Sequence, residues 1–101
     1  MVDDLKLARA VAEAALSTRG VHALGRGRYA EAATYGPGEK VLGVVVGPGS
    51  VRVHVVAGYP EGTPLPELVR RLKERVTPAA DGREVEVVVE DIYLAEEDAD
   101  L

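Results

Sequence analysis

At 101 residues the chain is long enough for one compact domain and too short for two cores of useful size. Apolar residues make up 47% of it, with four Tyr as the only aromatics and no Cys, which excludes disulfides, thiol nucleophiles and thiolate metal sites. The 12 basic and 17 acidic residues leave a net charge of −5, which argues against attraction of the whole protein to nucleic acid or anionic lipid and leaves room only for a local basic patch.

Along the chain, Leu5, Ala8, Val11, Ala12, Ala15 and Leu16 recur at helical spacing, with Lys6, Arg9, Glu13 and Ser17 opposite. The spacing predicts an amphipathic helix over residues 3–18, capped by Asp3 or Asp4 and closed at Gly20. Val21 to Arg28 mixes glycines and arginines and reads as an irregular connection. Tyr29 to Thr34 is a candidate short strand. The turn Tyr35-Gly36-Pro37-Gly38 separates it from the β-branched run Lys40 to Val46. After a second turn at 47–50, Val51, Val53 and Val55 alternate with Arg52 and His54, the pattern of a strand with one buried face and one facing water or a partner. Pro64 and Pro66 start a second helix, whose Leu65, Leu68, Val69, Leu72 and Val76 share a face and which ends near Thr77 before Pro78. Val85, Val87 and Val89 mark a last half-buried strand.

The expected fold is α+β, a two-layer sandwich in the order helix, two- or three-strand meander, helix, strand. The strand at 51–56, the second helix and the last strand form a βαβ unit, and both helices lie on one face of an antiparallel or mixed sheet. Residues 1–94 make this single domain. Residues 95–101 are an acidic tail without apolar periodicity and are expected to fray.

Motifs for chemistry are sparse. Gly25-Arg26-Gly27-Arg28-Tyr29-Ala30 matches the letters of the dinucleotide-binding fingerprint, but a helix precedes it and a turn and strand follow, the reverse of the context that cofactor binding needs. It reads as a flexible loop. His22 and His54 are the only histidines, yet neither has a sequence partner that would make it a general base, and His54 reads as surface or partner-facing. Ser50 is explained by turn chemistry. No catalytic, metal or cofactor-binding residue emerges, and the chain reads as a non-enzyme without a cofactor. The candidate interaction residues are Arg52 and His54 on the strand face or Arg70, Arg71 and Arg75 on the face of the second helix, two alternative docking surfaces. Pairing of Glu67 with Arg71 and of Arg70 with Glu74 is the simplest reading of the helix charges. The alternative is a phosphate-tracking stripe, which would make the chain a small RNA-binding domain using the basic second helix.

Three blocks taken together resemble the alkaline shock protein family, the envelope stress response proteins of Gram-positive bacteria, in a form similar to short actinobacterial members. They are Leu7 to Leu16 followed by Gly20-Val21-His22-Ala23-Leu24, then Val51 to Tyr59 leading to Pro64-Leu65-Pro66-Glu67-Leu68, and Val85 to Ile92. The second helix is shorter than in the longer members and a Gly-Pro hairpin precedes the valine strand. The resemblance implies an alkaline-shock-protein-like domain over residues 1–94 and a cytoplasmic stress protein without catalytic residues. It also implies self-association and attachment to a membrane-anchored envelope protein. Such a chain is membrane-proximal through its partner, with no direct insertion, since the longest apolar stretch, Val41 to Gly47, falls far short of the roughly 20 residues of a membrane span. The N-terminus has no signal-peptide pattern. No small-molecule substrate is expected, and nucleic acid is the less favoured partner.

Overall fold

Valine-rich alternation in the second half of the chain builds the centre of the molecule, a ten-residue strand with every hydrogen-bonding edge occupied. The computed structural model describes residues 3–27, 32–59 and 64–94. In order, these form α1 (Asp4–Leu16), β1 (Val21–Leu24), β2 (Ala33–Gly36), β3 (Glu39–Leu42), β4 (Val44–Val46), β5 (Ser50–Tyr59), α2 (Leu65–Val76), a 3₁₀ turn (Thr77–Ala79) and β6 (Glu84–Leu94). The fold is α+β with a mixed sheet.

One edge of β5 pairs in parallel with β6 along its whole length, from Ser50 opposite Glu84 to Tyr59 opposite Leu94. The other edge is shared end to end by two short antiparallel strands, β4 opposite Val51 to Val53 and β1 opposite Val55 to Ala57. His54 sits where they meet. Its N–H donates to the Gly43 carbonyl at 2.8 Å and its carbonyl accepts from the Gly25 N–H at 2.7 Å. Strands β2 and β3 form a separate hairpin, held to α1 by the Arg9–Glu39 ion pair and to β4 by the Thr34 hydroxyl, which donates to the Val44 carbonyl at 2.6 Å.

Both helices pack on one face of the sheet. Leu7, Ala8, Val11, Ala12 and Ala15 of α1, with Leu68, Leu72 and Val76 of α2, meet Val44, Val51, Val53 and Val55 in one apolar core. Each of the buried Val and Leu side chains contributes about 1.5–3 kcal/mol by leaving water. The Asp3 carboxylate accepts from the Leu5 N–H at 3.0 Å and caps α1, and Gly20 turns the chain with φ 101°.

Several boundaries differ from the sequence reading. Val21 to Leu24 is a strand, because β5 extends beyond Val56 and offers an edge whose amides and carbonyls must be paired. Lys40 to Val46 is broken at Gly43, whose φ of 89° ends β3 and restarts the chain as β4. A short strand is present at Ala33–Gly36, while residues 29–31 of the expected strand lie outside the described residues, as does the tail at 95–101. Leu16 and Leu65, expected on buried helix faces, are 51% and 40% exposed, and Leu7 takes a core place instead.

Candidate functional site

The face of the sheet away from the helices carries the polar side chains of β5. Register places Val45 beside Arg52 and Arg52 beside Glu86, with Val88 beside His54 and Tyr93 beside Gly58. Among the described residues no helix covers this face, since α1 and α2 both pack on the other one. Gly58 has no side chain, and over that gap His22 of β1 and Tyr93 of β6 stack with ring centroids 3.8 Å apart and planes within 4°.

At the centre of the face, His54 is joined to Glu90 and Arg52. Its Nδ1 lies 2.7 Å from Glu90 Oε2, and Arg52 Nε donates to its Nε2 at 3.1 Å. A guanidinium only donates, so Nε2 accepts and the ring proton sits on Nδ1, aimed at the carboxylate. Glu90 reaches this position because β6 bulges. Val55 faces Val89 but Val56 faces Asp91, so Glu90 is the extra residue and its side chain is re-aimed across β5. Its carboxylate also accepts from the backbone N–H of Gly27 and, at 3.2 Å, from that of Arg26. A side chain on Gly25 would collide with it, since a Cβ built there lies 2.3 Å from Oε1. Burial pushes the Glu90 carboxyl up, but the Gly27 N–H, His54 and the Arg26 N–H together hold it below the ordinary carboxylate range. The anion thus ties the end of β1 to β6 across the central strand.

This arrangement corrects the exposed histidine. His54 is only 9% accessible, because the alternation that put it opposite the core said nothing of Glu90 and the 25–27 loop closing around it. Arg52 is exposed as expected. Gly25 to Gly27 form a backbone cradle for a carboxylate. Sequence reasoning missed Glu90 and Gly25, although one signal was present: Val89 and Ile92, which pair with the core-facing Val55 and Ala57 of β5, are three residues apart, and that slip in the period of two marks the bulge.

The candidate cations of α2 are elsewhere and have partners. Arg70 pairs with Glu67 at 2.5 Å and Glu74 at 2.8 Å, which lower the Glu67 pKa and raise that of Arg70, whereas Glu67 and Arg71 stand 3.9 Å apart. Arg71 and Arg75 turn toward the end of α1. Arg71 Nη1 donates to the Arg19 carbonyl at 3.1 Å, and Arg75 donates from Nη2 to the Ser17 carbonyl at 3.1 Å and from Nε to the Ser17 hydroxyl at 3.4 Å. The structure places Arg52 and His54 on the open sheet face and Arg71 and Arg75 beside the end of α1.

With one nitrogen accepting from Arg52 and the other donating to Glu90, the His54 ring has no position left from which to take a substrate proton, and its chemistry here is to fix geometry. Among the described residues no three His, Asp or Glu side chains are grouped to hold a metal ion, and no helix is long and apolar enough to cross a membrane. In comparisons with known proteins, no protein-family model, curated protein or solved structure matches this chain.

Proposed function

We propose that the chain is a non-enzymatic interaction module that associates with copies of itself through the open sheet face, in the stress response or homeostasis of the cell envelope. The envelope setting rests on the resemblance of the three sequence blocks, which also suggests a membrane-anchored protein as a further partner. The observation that carries the docking role is the sheet face that no helix covers among the described residues. Val45, Val56 and Val88 lie half-buried on it around Arg52, whose guanidinium is oriented by His54 beside Glu86 of the neighbouring strand. A two-fold contact needs a patch complementary to itself, and an Arg beside a Glu on a partly apolar face meets that need. The RNA-binding alternative is weakened at Arg70, whose charge is met by Glu67 and Glu74.

Sedimentation velocity over a concentration series tests the proposal. The parent chain should assemble, and less so as salt rises, because exposed charges are screened over about 10 Å at 0.1 M. Arg52→Glu should be monomeric, and adding Glu86→Arg should restore assembly by exchanging the charges. A parent that stays monomeric at high concentration and low salt overturns self-association, and salt-sensitive binding of single-stranded RNA would favour the alternative.

A further inference from the structure

We infer that the crevice between the end of α1 and the outer face of α2 is a binding site for a phosphoryl oxyanion, separate from the open sheet face. The crevice holds about 370 Å³ and is lined by Ser17, Thr18, Arg19, Arg71, Glu74 and Arg75. Three of those six residues are arginines. The single carboxylate, Glu74, is already engaged by Arg70 at 2.8 Å.

The negative end of α1 would by itself repel an anion. Here the carbonyls that follow it are capped by cations, Ser17 by Arg75 and Arg19 by Arg71. Those bonds use two donors of Arg75 and one of Arg71, out of the five that each guanidinium carries. They also hold the two forks in place, so less side-chain entropy remains to be lost when a ligand arrives. A carboxylate has two oxygens and one charge. A phosphoryl group has three oxygens and nearly two charges, a better match to two oriented guanidinium groups beside a third basic residue. The ligand class is therefore a phosphate ester, either a soluble one or a lipid headgroup.

The test is a titration of the isotope-labelled full chain with inorganic phosphate against sodium chloride at matched ionic strength, followed by nuclear magnetic resonance. Saturable shifts confined to the amides of residues 17–19 and the guanidinium signals of Arg71 and Arg75 are expected. Arg71→Gln and Arg75→Gln should each weaken binding about tenfold or more, while Lys40→Gln, at an exposed position outside the crevice, should leave it unchanged. Should either Gln variant fail to fold, Arg71→Lys and Arg75→Lys, which keep the charge and lose the fork, should still bind more weakly than the parent. Shifts reproduced by chloride, shifts spread over the whole chain, or equal weakening by Lys40→Gln would overturn the site. Flotation with phosphatidylcholine vesicles, with and without phosphatidic acid, separates the sources. Capture by the acidic vesicles in competition with phosphate supports a headgroup, and phosphate binding without capture supports a soluble ester. Neither outcome depends on whether the sheet face self-associates.

Discussion

The two faces of β5 alternate along one ten-residue strand and are built on opposite principles. Toward the helices, Val51, Val53 and Val55 have no accessible surface, and their contribution is non-directional, so any apolar side chain of similar volume would serve. Away from the helices, Arg52 and His54 are placed by directional bonds to each other and to Glu90, and each bond depends on a particular atom of its partner. The covered face carries the stability of the domain and the other carries its specific geometry. A substitution on the first should unfold the molecule, whereas one on the second should loosen a connection and leave the fold standing.

The largest expected effect is on the covered side. Val53→Asp puts a lone carboxylate where the side chain has no accessible surface, at a cost of several kcal/mol against a total stability of about 5–15 kcal/mol, and urea titration should find it unfolded or close to it. A cooperative transition at the parent's midpoint would abolish the distinction between the faces.

On the open side, Glu90→Gln should cost about 1–2 kcal/mol, because the charge-assisted bonds to His54 and the loop amides weaken while the core is untouched. The substitution also has a pH signature. The folded Glu90 pKa lies below its unfolded value, so its contribution is complete above the ordinary carboxylate range and is lost as pH falls through the lower, folded value. Stability measured from neutral pH down into the acid should therefore decline less in Glu90→Gln than in the parent, and parallel declines would show that the carboxylate is not anchored.

Gly25→Ala should act through the same anchor at a cost of about 1 kcal/mol, since the new methyl displaces the Glu90 carboxylate and leaves the backbone where it is. In a Glu90→Ala background the same change should be close to neutral. Additive costs in that double-mutant cycle would mean that Gly25 is needed for its backbone alone. The smallest effect belongs to Arg52→Ala, which removes one bond to His54 from an exposed position and should lower stability by less than about 1 kcal/mol. Its larger consequence should appear as lost assembly in sedimentation, with circular dichroism unchanged.

The sequence by itself determined the elements whose signal is periodic and local. The amphipathic α1, the proline-started α2 and the valine alternation of β5 and β6 follow from side-chain spacing, and with them the α+β class and the placement of both helices on one face. It also determined that Arg70 would find Glu74, because residues four apart on a helix are neighbours whatever else the chain does, whereas Glu67, matched to Arg71 by spacing, stands closer to Arg70. Only the tertiary structure decided the rest. Val21 to Leu24 became a strand because β5 had an edge to fill, and Gly43 divided a β-branched run so that β4 and β1 could share that edge. His54, Glu90 and the amides of Arg26 and Gly27 come from segments up to 64 residues apart, and no local propensity marks a carboxylate as the partner of a loop it has not yet met. Arg71 and Arg75 likewise needed the end of α1 beside them before their alternation on α2 became a crevice. Spacing along the chain sets which way a side chain points, and what it points at depends on contacts between segments that are distant in sequence.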